Sequence, residues 1–209
     1  DLDPGLRNRY SKLLPHKVLP AHTRSVYLDA NIAIIASLAP LLADVFDGRA
    51  DFAVYAHPSR NTVAEEVAAC LAASRVRNAD RLKAEYAAYR DEGFPDTGGL
   101  TGNSILMRRH LEPSVSAFME LWWDLVSEGS GRDQISLPYL RWKMPIRDRV
   151  LSPHFSIASP YFHRYPHWSR AGRRARLYID LAARRGQSPL YRFAHRLVGL
   201  SYRGGGSSV

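Results

Sequence analysis

Apolar runs of strand length alternate along this chain with stretches that repeat at helical spacing, and that alternation restricts its possible folds more than any other feature. The runs around Val26 to Leu28, Phe52 to Ala56, Ser104 to Met107 and Val150 to Leu151 suit strands. Thr62 with Glu65 three residues on has capping-box spacing and opens a helix over Val63 to Ala73. Leu82, Tyr86 and Tyr89 place another over Asp80 to Asp91, ended by Gly93. Pro113 opens a third, in which Val115, Phe118, Met119, Trp122 and Val126 share a face, and Ile135 to Trp142 is again helix-periodic. Residues 6–19 read as a helix bent near Pro15, and Leu38, Leu41 and Leu42 as a short one. Such alternation implies an α/β fold, a mostly parallel sheet flanked by helices, with ligands bound beyond the carboxyl ends of the strands.

Two of those ends carry polar groups. Val26 and Leu28 suit a buried strand, which stops at Asp29 and Asn31, two positions apart and able to point their oxygens the same way. Hard divalent cations such as Mg²⁺ and Mn²⁺ take oxygen ligands of this kind, with substrate phosphates completing the shell. Asp and Asn are also ordinary turn formers, so both readings are open on this stretch. The second strand ends at His57, a further pocket residue. The glycine-rich segment from Asp96 to Gly102 has no lysine and no phosphate-loop spacing, and reads as a plain loop.

A chain of 209 residues with 45% hydrophobic content can bury one sizeable core with an appendage. The single Cys70 excludes an intramolecular disulfide, and no Cys/His cluster has zinc-finger spacing. No apolar run is long enough to span a membrane and no signal-peptide pattern is visible, so the expected location is cytoplasmic, with attachment to a membrane periphery as an option. The chain begins with Asp1 rather than Met, so residues are expected to precede it. The net charge of +9 is concentrated at one end. From Arg164 onward there are ten arginines and one acid, Asp180, and before that bases and acids balance. That distribution argues against a nucleic-acid binder. After Pro189, Leu190, Phe193, Leu197 and Val198 share one helical face, with Arg192, His195 and Arg196 on another. This suits either an anionic membrane surface or a solvated helix docked on protein.

Seven motifs in order carry a resemblance. They are Arg9 to Lys17 (RYSKLLPHK), Tyr27 to Ile32 (YLDANI), Glu65-Glu66 with Cys70, Glu92-Gly93-Phe94-Pro95, Leu106 to His110 (LMRRH), Trp122-Trp123 and Arg132-Asp133-Gln134. Together, over about residues 3–167, they resemble the glycosyltransferase-like domain shared by plant turgor-regulation and mucilage-related proteins and bacterial relatives. The chain is also similar to the wider GT-A group, whose fold is Rossmann-like. Residues 1–167 would form this domain, 168–203 a basic helical extension and 204–209 a disordered tail.

The resemblance implies transfer of a sugar from a nucleotide-sugar donor to an acceptor of unknown kind, a glycan, lipid or protein, with Mn²⁺ or Mg²⁺. Asp29, Asn31 and a late histidine would hold the metal. Of His163 and His167, the family match favours His167. Lys12 and Arg9 would help bind the donor, as would Asp29 and His57, while Asp133 with Gln134 would face the sugar or acceptor. Plain structural roles compete: Asp133 as a helix cap, Lys12 as a solvated charge, the histidine as a surface group. Asn31 replaces the second acid of the wider motif, so weaker metal affinity is expected. Only 28 residues precede Asp29, fewer than the first strand and helix of such domains require, so the N-terminal part of the fold is expected to be missing or the base pocket incomplete. The rival function is a non-catalytic domain of the same fold, attached to a membrane or acidic partner through its basic tail.

Overall fold

The computed structural model describes residues 4–73 and 78–165, together with 177, 180, 181, 188–190, 192–194 and 196. The chain divides into two compact units, one of residues 1–29 and 36–161 and a smaller one of residues 30–35 and 162–209.

In the larger unit, helices α1 (Pro4–Leu13) and α2 (Pro15–Val18) precede β1 (Ser25–Leu28). The smaller unit contributes β2 (Ile32–Ile34), after which come α3 (Ala39–Asp47), β3 (Phe52–Ala56), α4 (Val63–Ala72), α5 (Ala79–Asp91), β4 (Thr101–Arg108), α6 (Pro113–Glu128), α7 (Asp133–Lys143) and β5 (Asp148–Leu151). Strand β6 (Phe162–Arg164) pairs antiparallel with β2 and completes the described sheet of the smaller unit.

The α/β class stands, but the strand directions differ from the expectation. The four-stranded sheet has the order β1-β4-β3-β5. Strand β4 runs antiparallel to both β1 and β3, and only β3 and β5 are parallel. The sheet is therefore mixed rather than mostly parallel. Alternation of strands with helices sets how far apart successive strands lie in the chain but not which way each one runs. The antiparallel pairing has a consequence for function: it places the carboxyl ends of β1 and β3 beside the amino end of β4. The Asp29 amide accordingly donates to Ser104 O and the His57 amide to Leu100 O, at one edge of the sheet.

Strand β4 also starts three residues before the expected Ser104, inside the glycine-rich segment. Gly102 is in the sheet because a Cβ there would lie 2.7 Å from Nε2 of the buried His154. The rest of that segment is structural. Asp96 accepts from the backbone amides of Val63 and Ala64 at 2.7 and 2.9 Å, satisfying donors that the first turn of α4 leaves open, and from the Tyr86 hydroxyl at 2.7 Å. At the same end Thr62 and Glu65 form the expected capping box.

Two apolar clusters fix α7 between them. Val115, Phe118, Met119, Trp122 and Val126 of α6 pack on Phe52, Val54 and Leu106 of the sheet, together with Leu137 and Leu140 of α7. Each fully buried large side chain here contributes about 1.5–3 kcal/mol relative to exposure. On another face of α7, Ile135 and Tyr139 join Val63, Val67, Leu82, Tyr89 and Phe94, with the Tyr89 and Tyr139 rings stacked at 3.8 Å. A helix gripped on both sides holds its first residue, Asp133, in a fixed place.

Candidate functional site

Three sequence-selected residues of the larger unit, Lys12, Asp29 and Asp133, meet around Tyr27 near the end of β1. Tyr27 and Asp29, two apart in an extended segment, lie on one side, and the Tyr27 hydroxyl donates to Asp29 Oδ1 at 3.0 Å. Lys12 projects from the last turn of α1, its Nζ 5.1 Å from the centre of the Tyr27 ring, and donates to Asp133 Oδ2 at 2.5 Å. Both partners are buried, at 7% and 8% exposure. The solvated-charge reading of Lys12 therefore does not hold. Asp133 is the first residue of α7 and makes no cap hydrogen bond; its carboxylate is given to the lysine. Its backbone carbonyl accepts from Asn103 Nδ2 at 3.0 Å, and Asn103 in turn accepts from the Thr101 hydroxyl at 2.7 Å.

The electrostatics of Asp133 follow from this packing. Burial favours its neutral form, but the Lys12 ammonium, its hydrogen bond, and the charges of Arg9 and Arg132 together hold the carboxyl below its ordinary value. The helix N-terminus acts in the same direction. The fully buried Arg108 holds α1 in place, because its Nη1 donates to the Lys12 carbonyl, one of the acceptors that a helix end leaves open. Burial pulls the Arg108 guanidinium down to about 9.

His57 and Gln134 belong to a second polar cluster on the same sheet edge. His57 Nδ1 accepts from the amides of Ser59 and Arg60 at 3.2 and 2.9 Å, which folds residues 57–60 into a tight turn. That turn delivers Arg60 to Glu66, a carboxylate only 1% exposed on α4. Arg132, just before α7, reaches the same carboxylate from the other side at 2.9 Å. It also donates to Gln134 Oε1 at 3.2 Å, while Gln134 Nε2 donates to the Thr101 carbonyl at 3.3 Å.

The implied metal ligands are distributed unevenly. One Asp29 oxygen takes the Tyr27 hydroxyl and the other makes no hydrogen bond among the described residues. Asn31 belongs to the smaller unit, where its Nδ2 donates to the Tyr165 carbonyl at 3.0 Å, leaving the amide oxygen as the available end. His163 lies on β6, and His167 lies outside the described residues. Among the described residues no group of three or more His, Cys, Asp or Glu side chains is placed to hold a metal. The open Asp29 oxygen nonetheless suits a hard divalent cation in kind, since Mg²⁺ uses one or two carboxylates and takes the rest of its shell from phosphates and water.

Tyr27, Asn103, Arg60 and Glu66 are site residues that the sequence reading did not select. Two of them carried a signal. Tyr27 is two residues before Asp29 in a strand, and Glu66 falls in the apolar stripe Val63, Val67, Cys70 of its own helix.

A mixed sheet flanked by helices, with acids and bases collected at one edge, defines an α/β domain. The chain belongs to the TOD1/MUCI70 glycosyltransferase-like domain family, whose model matches residues 3–157. Mouse xyloside xylosyltransferase 1, in its apo form, is similar in structure with a TM-score of 0.42 and 15% identity, over 68% of this chain and 49% of that one. The chain thus spans about half the length of that enzyme's chain. No curated protein matches the sequence.

Proposed function

We propose that this domain transfers a sugar from a nucleotide-sugar donor to an acceptor hydroxyl, with the donor's diphosphate bound at the Asp29 edge through Mn²⁺ or Mg²⁺. The observation that carries the reading is the half-buried Asp29, one oxygen fixed by Tyr27 and the other open, beside the buried Lys12 and Asp133. A bound cation would act there as a Lewis acid, neutralising charge on the departing diphosphate. Asp29 would hold it, and the assignment of Asn31 as a further ligand rests on its spacing in the sequence.

The chain's own groups have separable roles. Tyr27 fixes the Asp29 carboxylate, Lys12 and Arg9 supply positive charge near the donor, and Gln134 braces Arg132 against β4. In the transfer, the acceptor oxygen bonds to the anomeric carbon as that carbon's bond to the diphosphate breaks, and the acceptor proton is released. Asp133 is a poor proton acceptor for that step. Held below its ordinary value and paired with Lys12, it stays ionised and works as a positioning residue for the lysine.

The test is calorimetric titration of a panel of nucleotide sugars, with and without Mn²⁺, into the chain and into Asp29→Ala. The expected result is metal-dependent binding that weakens in the variant by at least about 10–100-fold, the loss typical even of groups one shell removed from a metal. Equal binding in both proteins would remove Asp29 from the site, and no binding of any donor would favour the non-catalytic reading.

A second partner is favoured by the basic C-terminal region. Its described residues 189, 190, 192–194 and 196 are helical, with Leu190 and Phe193 72% and 62% exposed, three apart on one face. Arg192 and Arg196, four apart, are exposed on another, within the ten-arginine stretch. We infer that this helix docks on an anionic membrane surface, apolar side inward. Co-sedimentation should show binding to phosphatidylglycerol vesicles that is weakened by salt and by Leu190→Asp with Phe193→Asp, and none to phosphatidylcholine vesicles. Unchanged binding in the double variant would discard the idea.

A further inference from the structure

The cluster built on Glu66 contains more positive charge and more donors than its own acceptor can use. Glu66 Oε2 takes Arg60 Nε at 2.7 Å and Arg60 Nη2 at 2.6 Å. Oε1 takes Arg132 Nη2 at 2.9 Å and the Cys70 thiol at 3.3 Å. A carboxylate has about four acceptor positions, so Glu66 is saturated. Two guanidiniums pair with this one carboxylate, and the other acids that act on them, Asp133 on Arg132 and Glu65 on Arg60, are themselves bonded to Lys12 and to the start of α4.

The unused donors can be named. Among the described residues, neither Arg60 Nη1 nor Arg132 Nη1 makes a hydrogen bond. Arg132 Nε is buried with no hydrogen-bond partner among the described residues. Leaving such a donor dry costs about 1–3 kcal/mol, more for a charged group, so a water or a ligand atom is called for to satisfy it. The two side chains are nevertheless reachable, at 27% and 23% exposure. They are also rigid. The His57 turn fixes Arg60, and Gln134 and Glu66 fix Arg132, so little side-chain freedom remains to be lost on binding.

We propose that Arg60 and Arg132 form an oxyanion site that takes a carboxylate or phosphate group, on the same sheet edge as Asp29 but built from other residues. The planar fork of a guanidinium matches both anions, and charge-assisted hydrogen bonds of this kind are roughly twice as strong as neutral ones. Glu66 serves as the frame that holds the two forks together, which explains why an acid with no acceptor capacity to spare is buried between them. A purely structural tie between α4 and α7 would need one arginine on Glu66; the second, with its unused donors, is the part that a ligand accounts for.

The experiment is a titration of the wild-type chain at low salt with inorganic phosphate, and separately with D-glucuronate, following the arginine side-chain Nε–H resonances by NMR, with glucose as the uncharged control. Saturable movement of the Arg60 and Arg132 signals is expected with at least one anion and not with glucose. Arg60→Gln, which leaves Glu66 and Arg132 as a balanced pair, should weaken binding about tenfold or more. If that variant fails to fold, Arg60→Lys, which retains the charge without the fork, is expected to show the same direction of change. A response to phosphate alone assigns a phosphorylated ligand, and a response to glucuronate alone an acidic sugar. Asp29→Ala should bind the anion as the wild type does, so loss of donor binding there leaves this site intact. No saturable shift with either anion, equal binding in the arginine variants, or loss of anion binding in Asp29→Ala would overturn the proposal.

Discussion

Replacing Asp133 with alanine is expected to destabilise the larger unit by about 3–5 kcal/mol, because it leaves the Lys12 ammonium buried without its counter-charge. Lys12→Met should cost about as much for the mirror reason. Total stabilities of single domains are about 5–15 kcal/mol, so either change removes a large part of the margin. The double variant Lys12→Met with Asp133→Leu is the informative one. Removing both charges abolishes the unpaired ion, and buried pairs replaced by apolar groups of similar volume are often neutral or better. Urea unfolding of the four proteins would give a coupling energy of several kcal/mol. Single variants that each lose less than about 1 kcal/mol would mean that the pair behaves as a solvated surface bridge, and the account of Asp133 as an ion fixed in a dry setting would fail. The rescued double variant carries the functional half of the prediction. It should fold yet bind donor poorly, since the lysine that supplies charge beside Asp29 is gone.

The elements themselves were largely legible because each depends on local signals. The run Phe52 to Ala56, the Thr62 capping box and the Pro113 start of α6 all fall where the sequence puts them. Strand direction is set by pairing between distant segments, which no local pattern encodes, and that is where the parallel expectation fails. Strands β2 and β6, three residues each, are too short to show alternation. The beginning of β4 was hidden because glycine ordinarily marks a loop, whereas Gly102 is there to admit the ring of His154.

The site divides along the same line. Asp29 was visible as a strand end and Lys12 as part of a basic helix, but their partners come from far along the chain: Lys12 meets Asp133 across 121 positions and Glu66 meets Arg132 across 66. Residue types at a strand end can suggest chemistry, but only the fold shows that the carboxylate of Asp133 is already committed to a lysine. Glu66 is the exception that could have been read. One acid of the Glu65-Glu66 pair serves the capping box, and the other sits at the spacing of Val63, Val67 and Cys70, where an acid has to be buried and therefore paired.

That burial makes acid sensitivity the second large expected effect. Desolvation works against ionisation of Glu66, but the hydrogen bonds from Cys70 and Arg132 and the charges of Arg60 and Arg132 outweigh it and hold the carboxyl below its ordinary value. Asp133 is displaced in the same direction. A carboxyl whose value is lower in the folded state binds fewer protons there than in the unfolded chain, so its contribution is complete above the unfolded value and disappears as pH falls through the folded one. The unfolding free energy should therefore hold steady from neutral pH to about pH 5 and then decline, with each such carboxyl adding at most about 1.4 kcal/mol per pH unit to the slope. Glu66→Gln should lower stability at neutral pH by about 3–5 kcal/mol, because two guanidiniums then face each other without an anion, and it should also flatten the acid limb by up to one proton's worth. Phosphate at high concentration should restore part of the loss in Glu66→Gln by supplying the missing negative charge to Arg60 and Arg132. A variant as stable as the wild type, with an unaltered acid limb, would show that neither arginine depends on Glu66.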